Sequence, residues 1–453
     1  MKFGGSSLES SLAIQRVAGI VRTRLERHPF VVVSAMGKTT NALLNIARDA
    51  ANGKRAQADE SLRVLEEFHA REASLLVGSS GQEKLQDILV SHFQALRETV
   101  IDLASLGFLS PQTADAMASY GERLSSLIVA LAFQNEGLPA RHLDARTVIV
   151  TDRNFTQATP LLPETYARLS ETVRGTDPAQ ITVMGGFIGA TADKTPSTLG
   201  RGGSDFSASL VGAGINAEEI EIWTDVDGLL TCDPNLVPEA RPVRLISFDE
   251  AAELAYFGAK VLHPATIGPA KDKNIPVRIL NSRRPEAPGT RIVAYSVPST
   301  NVLKSLACKR GVTVVNIRSN RMLMAHGFLR SIFEVFDQQE TPVDMIATSE
   351  VSVSLTIDND AHLPAICSAL APITEVSIEK NQALLCAVGE NIRDTPGVAA
   401  RIFAALQDVN IRMISQGASR LNLGLVVNEV DLLRAARALH REFFCELDPA
   451  IFA

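Results

Sequence analysis

This sequence predicts an α/β fold with a mostly parallel sheet, followed by two small β-α-β-β-α-β units. Three observations predict it. Short apolar runs alternate with segments of 3.6-residue periodicity through about the first 300 residues. Glycine-bearing turns stand where strand patterns give way to helical ones. After Arg284-Pro285-Glu286-Ala287-Pro288-Gly289-Thr290 the elements become short and recur in two rounds, each about 70 residues long.

The elements follow in order. Phe30-Val31-Val32-Val33, Val148-Ile149-Val150, Ile181-Thr182-Val183-Met184 and Ile220-Glu221-Ile222-Trp223 read as buried strands. Ile14, Val17, Val21 and Leu25 share one helical face. Residues 52–110 read as helical and polar, an insertion or lid. Gly121-Glu122-Arg123-Leu124-Ser125 reads as the opening of an apolar helix, with Glu122 as a favourable N-terminal charge. Ser247-Phe248-Asp249-Glu250 is a capping box ahead of Ala251, Leu254 and Ala255, and Gly258 suits the helix end.

Beyond the boundary, strands are expected at 303–309 and 312–317, then a helix at 328–338, strands at 344–347 and 351–357, a helix at 361–370 and a strand at 373–378. A second round has a strand at 383–388, a helix at 398–406, strands at 411–415 and 423–427, and a helix at 431–440. This round lacks its last strand, and 303–309 is a spare one. The simplest repair makes 303–309 complete the second unit, with the first inserted into it. The expected domains are therefore 1–298, 311–380, and 299–310 with 381–453.

Composition narrows the function. Of 453 residues, 46% are hydrophobic and 21% charged, enough for a large core and against wholesale disorder. A net charge of −7 argues against a dedicated nucleic-acid binder. Cys232, Cys308, Cys367, Cys386 and Cys445 are scattered and form no CxxC pair, which suits a reducing compartment and no structural zinc. No apolar run approaches the roughly 18 residues of a membrane span, and no signal peptide is read at the start. A cytoplasmic location is the expectation.

Three turns carry the chemistry. Lys2-Phe3-Gly4-Gly5-Ser6-Ser7 lets the backbone approach an anion at a helix start, with Lys2 to neutralise phosphate. An ordinary tight turn is the alternative. Ser34-Ala35-Met36-Gly37-Lys38-Thr39-Thr40-Asn41 imitates the end of a P-loop, but the required earlier glycine is Val32, so the motif fails. Thr198-Leu199-Gly200-Arg201-Gly202-Gly203-Ser204-Asp205 puts a cation, glycines, a hydroxyl and a carboxylate at a helix start, and Arg201 offers a planar fork for carboxylate or phosphate. Trp223-Thr224-Asp225-Val226-Asp227-Gly228 with Thr231-Cys232-Asp233-Pro234 is consistent either with nucleotide contacts or with an Asp-rich turn. Lys260, in Phe257-Gly258-Ala259-Lys260-Val261-Leu262-His263-Pro264, could serve only the helix end, and His263 there is more often structural than catalytic.

Taken in order, KFGGSS at Lys2, SAMGKTTN at Ser34, GERLSS at Gly121, GGFIGA at Gly185, TLGRGGSD at Thr198, WTDVDGLLTCDP at Trp223 and FGAKVLHPAT at Phe257 resemble the aspartokinases of the amino acid kinase family. HGFLRSIFEVF at His326 and VDMIATSEVSVSL at Val343 resemble the paired ACT domains of the lysine-sensitive type. The resemblance implies a three-layer α/β sandwich plus two ferredoxin-like ACT domains. It implies transfer of the ATP γ-phosphoryl group to the side-chain carboxylate of L-aspartate, the entry step to lysine, threonine and methionine synthesis. It gives Lys2 the charge on the transferring group, Gly4, Gly5 and Ser6 the phosphates, Glu122 the aspartate amino group and Arg201 a substrate carboxylate. Thr40 and Ser204 would bond aspartate, Asp205 would organise Lys2 and the reactants, and Thr224, Asp225, Asp233 and Lys260 would contact ATP. Mg²⁺ would ride mostly on the phosphates, with no carboxylate cage in the chain. Lysine would meet Met322, Leu329, Val343, Asp344, Thr348, Ser349 and Glu350 at a homodimer interface, Asp344 or Glu350 pairing with an ammonium.

Three departures stand out. Lys2 lies at the very start, where the family usually has a few residues more, so restoring about five residues is expected to raise activity. Ser6 stands where threonine is commoner. Ala325 replaces a serine of the lysine pocket, leaving threonine, another amino acid or more weakly bound lysine open as effector. Another amino acid kinase, acting on glutamate or a similar carboxylate, is the nearest enzymatic alternative. A catalytically silent amino-acid sensor is the alternative from a different class.

Overall fold

The computed structural model describes residues 1–258, 264–295, 298–319 and 326–453. They form two compact units. One holds Met1–Gly228 and the described residues of 261–295; the other holds those of 229–260 and 296–453.

The first unit is built on a parallel sheet. Its strands run side by side as Ala140–Leu143, Ile181–Gly185, Phe30–Val33, Lys2–Phe3, Ile220–Thr224 and Val277–Asn281, all parallel, with Thr290–Val293 added antiparallel. The inner strands are buried on both faces, which is why they read as unbroken apolar runs rather than alternating ones. A small sheet of Val150–Thr151, Ile188–Thr191 and Pro196–Thr198 stands beside it. The strand expected at Val148-Ile149-Val150 is Val150–Thr151. Val148 and Ile149 lie outside that strand, because the 3-10 turn Ala145–Thr147 delivers the chain late to it.

The segment 52–110 is no lid. Helices Arg55–Ser74 and Ser79–Leu106 bury Leu62, Leu65, Phe93, Leu96 and Val100 in the same core as Val31, Leu43 and Phe133. An apolar stripe on an otherwise polar helix is enough to dock it permanently.

In the second unit one antiparallel sheet runs Ile346–Thr348, Ser352–Ile357, Ser305–Arg318, Glu375–Val388, Asn422–Asn428 and Ile411–Gln416. The strands expected at 303–309 and 312–317 are one strand, Ser305–Arg318, and those at 373–378 and 383–388 are one strand, Glu375–Val388. Gly311, at φ 72°, absorbs the bulge between the halves, so the ladder continues instead of turning. Ser305–Arg310 pairs with residues 383–388, and Val314–Arg318 with residues 375–379. Helices Phe328–Gln338 and Leu363–Leu370 pack Ile332, Phe336 and Ile366 against Val315, Val353 and Leu355. The capping box forms as expected: Ser247 Oγ accepts from the Glu250 N–H at 3.2 Å, and Glu250 Oε2 accepts from the Ser247 N–H at 2.9 Å.

Candidate active site

Parallel pairing draws the glycine turns together. Lys2 pairs with Val32 on one side and Ile222 on the other, and Val33 pairs with Gly185. The chain therefore leaves neighbouring strands at Gly4, Ser34, Gly186 and Asp225, along the carboxyl edge where open α/β sheets bind ligands. The turns are stitched to one another. The Gly4 N–H donates to the Trp223 carbonyl at 3.2 Å, the Gly37 N–H to the Gly5 carbonyl at 3.1 Å and the Gly186 N–H to the Val33 carbonyl at 2.8 Å. Gly186 cannot carry a side chain, because a Cβ there would lie 2.9 Å from Ser204 Cα.

Lys2, Gly4, Gly5, Thr40, Glu122, Ser204 and Asp205 line one open cleft of about 280 Å³, together with Ser34 and Phe187. The Lys2 ammonium lies 2.6 Å from Asp205 Oδ1, both side chains being largely buried. Asp205 sits in the first turn of helix Gly203–Ile215, where the helix dipole favours an anion.

Glu122 is not the start of a helix. Helix Pro111–Asn135 begins eleven residues earlier, after the Ser110 cap, whose Oγ accepts from the Thr113 N–H at 3.0 Å. Ser110-Pro111 is itself a start signal, obscured by the polar turn after it. Glu122 is thus a buried mid-helix carboxyl on the cleft wall. Burial pushes it up to about 8, against a backbone N–H from Ala35 and the Thr40 hydroxyl, which favour its charged form. Thr40 Oγ1 donates to its Oε1 at 3.5 Å, and Oε2 has no hydrogen-bond partner among the described residues. A buried carboxyl with a free oxygen facing a cleft is suited to an incoming cation.

Two residues outside the expected set shape the cleft. Phe187 holds φ at 63°, and its N–H donates to Ser207 Oγ at 2.9 Å. Asp115, buried in helix Pro111–Asn135, accepts from the Thr198 N–H at 2.9 Å, the Thr198 hydroxyl at 2.5 Å and the Thr156 N–H at 2.9 Å. Thr156 is itself left-handed at φ 74°. Asp115 thereby anchors the entry to the Gly200–Asp205 turn. Nothing in its sequence surroundings marks it.

The other expected residues are placed as follows. Ser6 lies half-buried in the 3-10 turn Gly5–Ser7, and Arg201 is exposed between Gly200 and Gly202. Thr224 ends strand Ile220–Thr224 and donates to Asp225 Oδ1 at 3.3 Å. Asp233 belongs to the second unit, is exposed, and accepts from the Asn235 N–H at 2.9 Å. Lys260, His263, Met322 and Ala325 lie outside the described residues. Leu329 is exposed in the first turn of helix Phe328–Gln338. Val343 and Asp344 are half-buried, and Thr348, Ser349 and Glu350 are exposed around the edge strand Ile346–Thr348.

Comparison with known proteins bears on both units. The amino acid kinase family matches residues 1–281, and the ACT domain matches residues 385–443. Aspartokinase 2, chloroplastic, of Arabidopsis thaliana is 38% identical over 468 residues, covering 99% of this chain and 84% of the relative. Lysine-sensitive aspartokinase 3 of Escherichia coli is 33% identical over 461 residues, covering 98% of each. A crystal structure of E. coli aspartokinase III in complex with aspartate and ADP matches with a TM-score of 0.84 and 32% identity, covering 98% of this chain and 99% of that one.

Proposed function

Because the chain belongs to the amino acid kinase family, with aspartokinases as its full-length relatives, we propose that it phosphorylates L-aspartate at the side-chain carboxylate with ATP, giving 4-phospho-L-aspartate and ADP. The observation that carries this reading is the Lys2–Asp205 ion pair set in one cleft with Glu122 and Thr40. Such transfer needs positioning and charge neutralisation more than covalent catalysis.

In this reading Glu122 gives its carboxylate to the substrate ammonium, whose arrival favours ionisation of the buried group. Thr40 and Ser204 bond the substrate, and Arg201 swings from solvent onto its α-carboxylate. Lys2, oriented by Asp205, meets the charge that develops on the transferring phosphoryl group. Gly4, Gly5 and Ser6 offer backbone N–H groups and a hydroxyl to the phosphates, while Thr224, Asp225, Asp233 and Lys260 contact the nucleotide. Mg²⁺ fits as a passenger of the phosphates: among the described residues no three acidic, imidazole or thiol side chains converge, and Asp205 is engaged with Lys2. Bound there, it neutralises phosphate charge.

The domain boundaries 1–298, 311–380, and 299–310 with 381–453 belong to the same reading, supported by the pairing of Ser305–Arg310 with residues 383–388. So do lysine as inhibitor at Met322, Leu329, Val343, Asp344, Thr348, Ser349 and Glu350, and a homodimer through the ACT domains. The scattered cysteines support a cytoplasmic location; no helix among the described residues is long and apolar enough to cross a membrane.

The test is ATP- and aspartate-dependent formation of an acyl phosphate, trapped with hydroxylamine, with and without lysine. Product suppressed by lysine is expected. No product under any condition would favour a silent sensor.

A further inference from the structure

A second cavity, of about 90 Å³, lies in the first unit and is lined by His92, Arg123, Ser126, His142 and Arg146, with Asp144. Three elements converge there: helix Ser79–Leu106, helix Pro111–Asn135, and strand Ala140–Leu143 with the turn that follows it. Its charges do not balance. Arg146 grips Asp144 with two nitrogens, Nη2 at 2.6 Å from Oδ2 and Nε at 3.0 Å from Oδ1. Arg123 has no ion pair among the described residues and lies instead over the Tyr120 ring, 4.3 Å from its centre.

The surroundings feel this excess. Burial, and then the nearby Arg146 charge, pull Arg123 below its ordinary value. Burial pulls His92 and His142 down as well. Both arginines add to that, and Lys84 adds to it at His142, where Asp144 works against it. One carboxylate thus serves two partly desolvated guanidiniums, and a desolvated cation without a counter-ion is costly.

We propose that this cavity binds a small oxyanion of the phosphate type, held by the guanidiniums of Arg123 and Arg146. Planar guanidiniums match the oxygens of such an ion and can hold it with paired N–H bonds. The Ser126 hydroxyl and His142 Nε2, already 3.0 Å apart, supply further hydrogen-bonding groups at the wall. The site is distinct from the Lys2–Asp205 cleft but adjoins it through Gly185, which lines the cavity. A Cβ on Gly185 would fall 2.9 Å from the Glu122 carbonyl oxygen, so strand and helix touch there. Glu122 and Arg123 are consecutive on that helix, so the two sites share one helical segment.

The experiment is calorimetric titration of the full chain with inorganic phosphate, after saturating the catalytic cleft with ADP and aspartate. One phosphate per chain is expected in the wild type. Arg123→Gln, which strands no carboxylate, should weaken it by roughly tenfold or more. Arg123→Lys keeps the charge and the stem over Tyr120, guards against a folding defect, and should weaken it severalfold. Wild-type protein that takes up no phosphate under these conditions overturns the proposal, as does an Arg123→Gln protein that binds it undiminished. The ring signals of His142 should also move on phosphate addition; signals that stay fixed while phosphate binds would place the anion elsewhere and overturn it too.

Discussion

The Lys309 ammonium stands 3.3 Å from Asp344 Oδ2 and also pairs with Asp358. The carboxylate proposed for the effector's ammonium thus already holds an ammonium of its own chain. Burial, and then a hydrogen bond shared with Asp358, push Asp344 up to about 6.

An internal competitor of this kind should set the effector's affinity. Replacing Lys309 by Met removes that ammonium from Asp344 and Asp358, and at pH 8 the lysine concentration for half-inhibition should fall. A partly exposed pair worth about 1 kcal/mol corresponds to roughly fivefold. Lys309→Arg should leave it nearly unchanged. An unmoved midpoint in Lys309→Met would remove Asp344 from the effector site.

Glu122 makes the enzyme pH-dependent in a defined sense. The unfolded chain releases this proton near 4.5, and the folded empty cleft holds it to about 8. Between those values the folded state binds the extra proton, so stability falls as pH rises through that window. Glu122→Gln should flatten the decline, read as urea midpoints across the window. In turnover the sign reverses, because the substrate ammonium needs the ionised carboxylate. The kcat/KM for aspartate should climb toward pH 8, by up to tenfold per unit. A flat profile in the wild type would count against Glu122 as the ammonium ligand.

Asp205 pairs with Lys2 inside the first unit. Asp205→Ala should lower kcat by on the order of a hundredfold, as misplacement of a reacting group does. Lysine binding, followed by calorimetry, should persist. A pure sensor would have no turnover to lose.

Asp115 accepts two hydrogen bonds from Thr198, which leads into the Gly200–Asp205 turn, and one from the Thr156 N–H. Asp115→Ala should cost about 1–3 kcal/mol in urea unfolding, the range for leaving buried donors without their acceptor. Conditions that keep the variant folded should still show a raised KM for aspartate. Wild-type kinetics would show that the turn holds itself.

Much of this was legible in the chain. Unbroken apolar runs such as Phe30–Val33 signal strands covered on both faces, and Lys2, Gly4, Gly5, Thr40, Ser204 and Asp205 announce themselves by residue type beside such runs. Periodicity alone puts the helix boundary at Gly121, because the true start signal, Ser110-Pro111, precedes a polar turn. The merging of 303–309 with 312–317 was missed for a similar reason: Gly311 looks like a stop, and only cross-strand pairing shows that it is a bulge.

The sequence by itself determined the α/β class, most of the elements and the residue types of the cleft, because these follow from local periodicity and turn chemistry. Tertiary structure decided what depends on burial and on partners distant in the chain. Glu122 becomes a cation-seeking carboxyl only where helix Pro111–Asn135 buries it behind Thr40. Asp115 becomes an anchor only where Thr198 reaches it from 83 residues away. Arg123 becomes a cation with no ion pair among the described residues only where Arg146 has already taken Asp144.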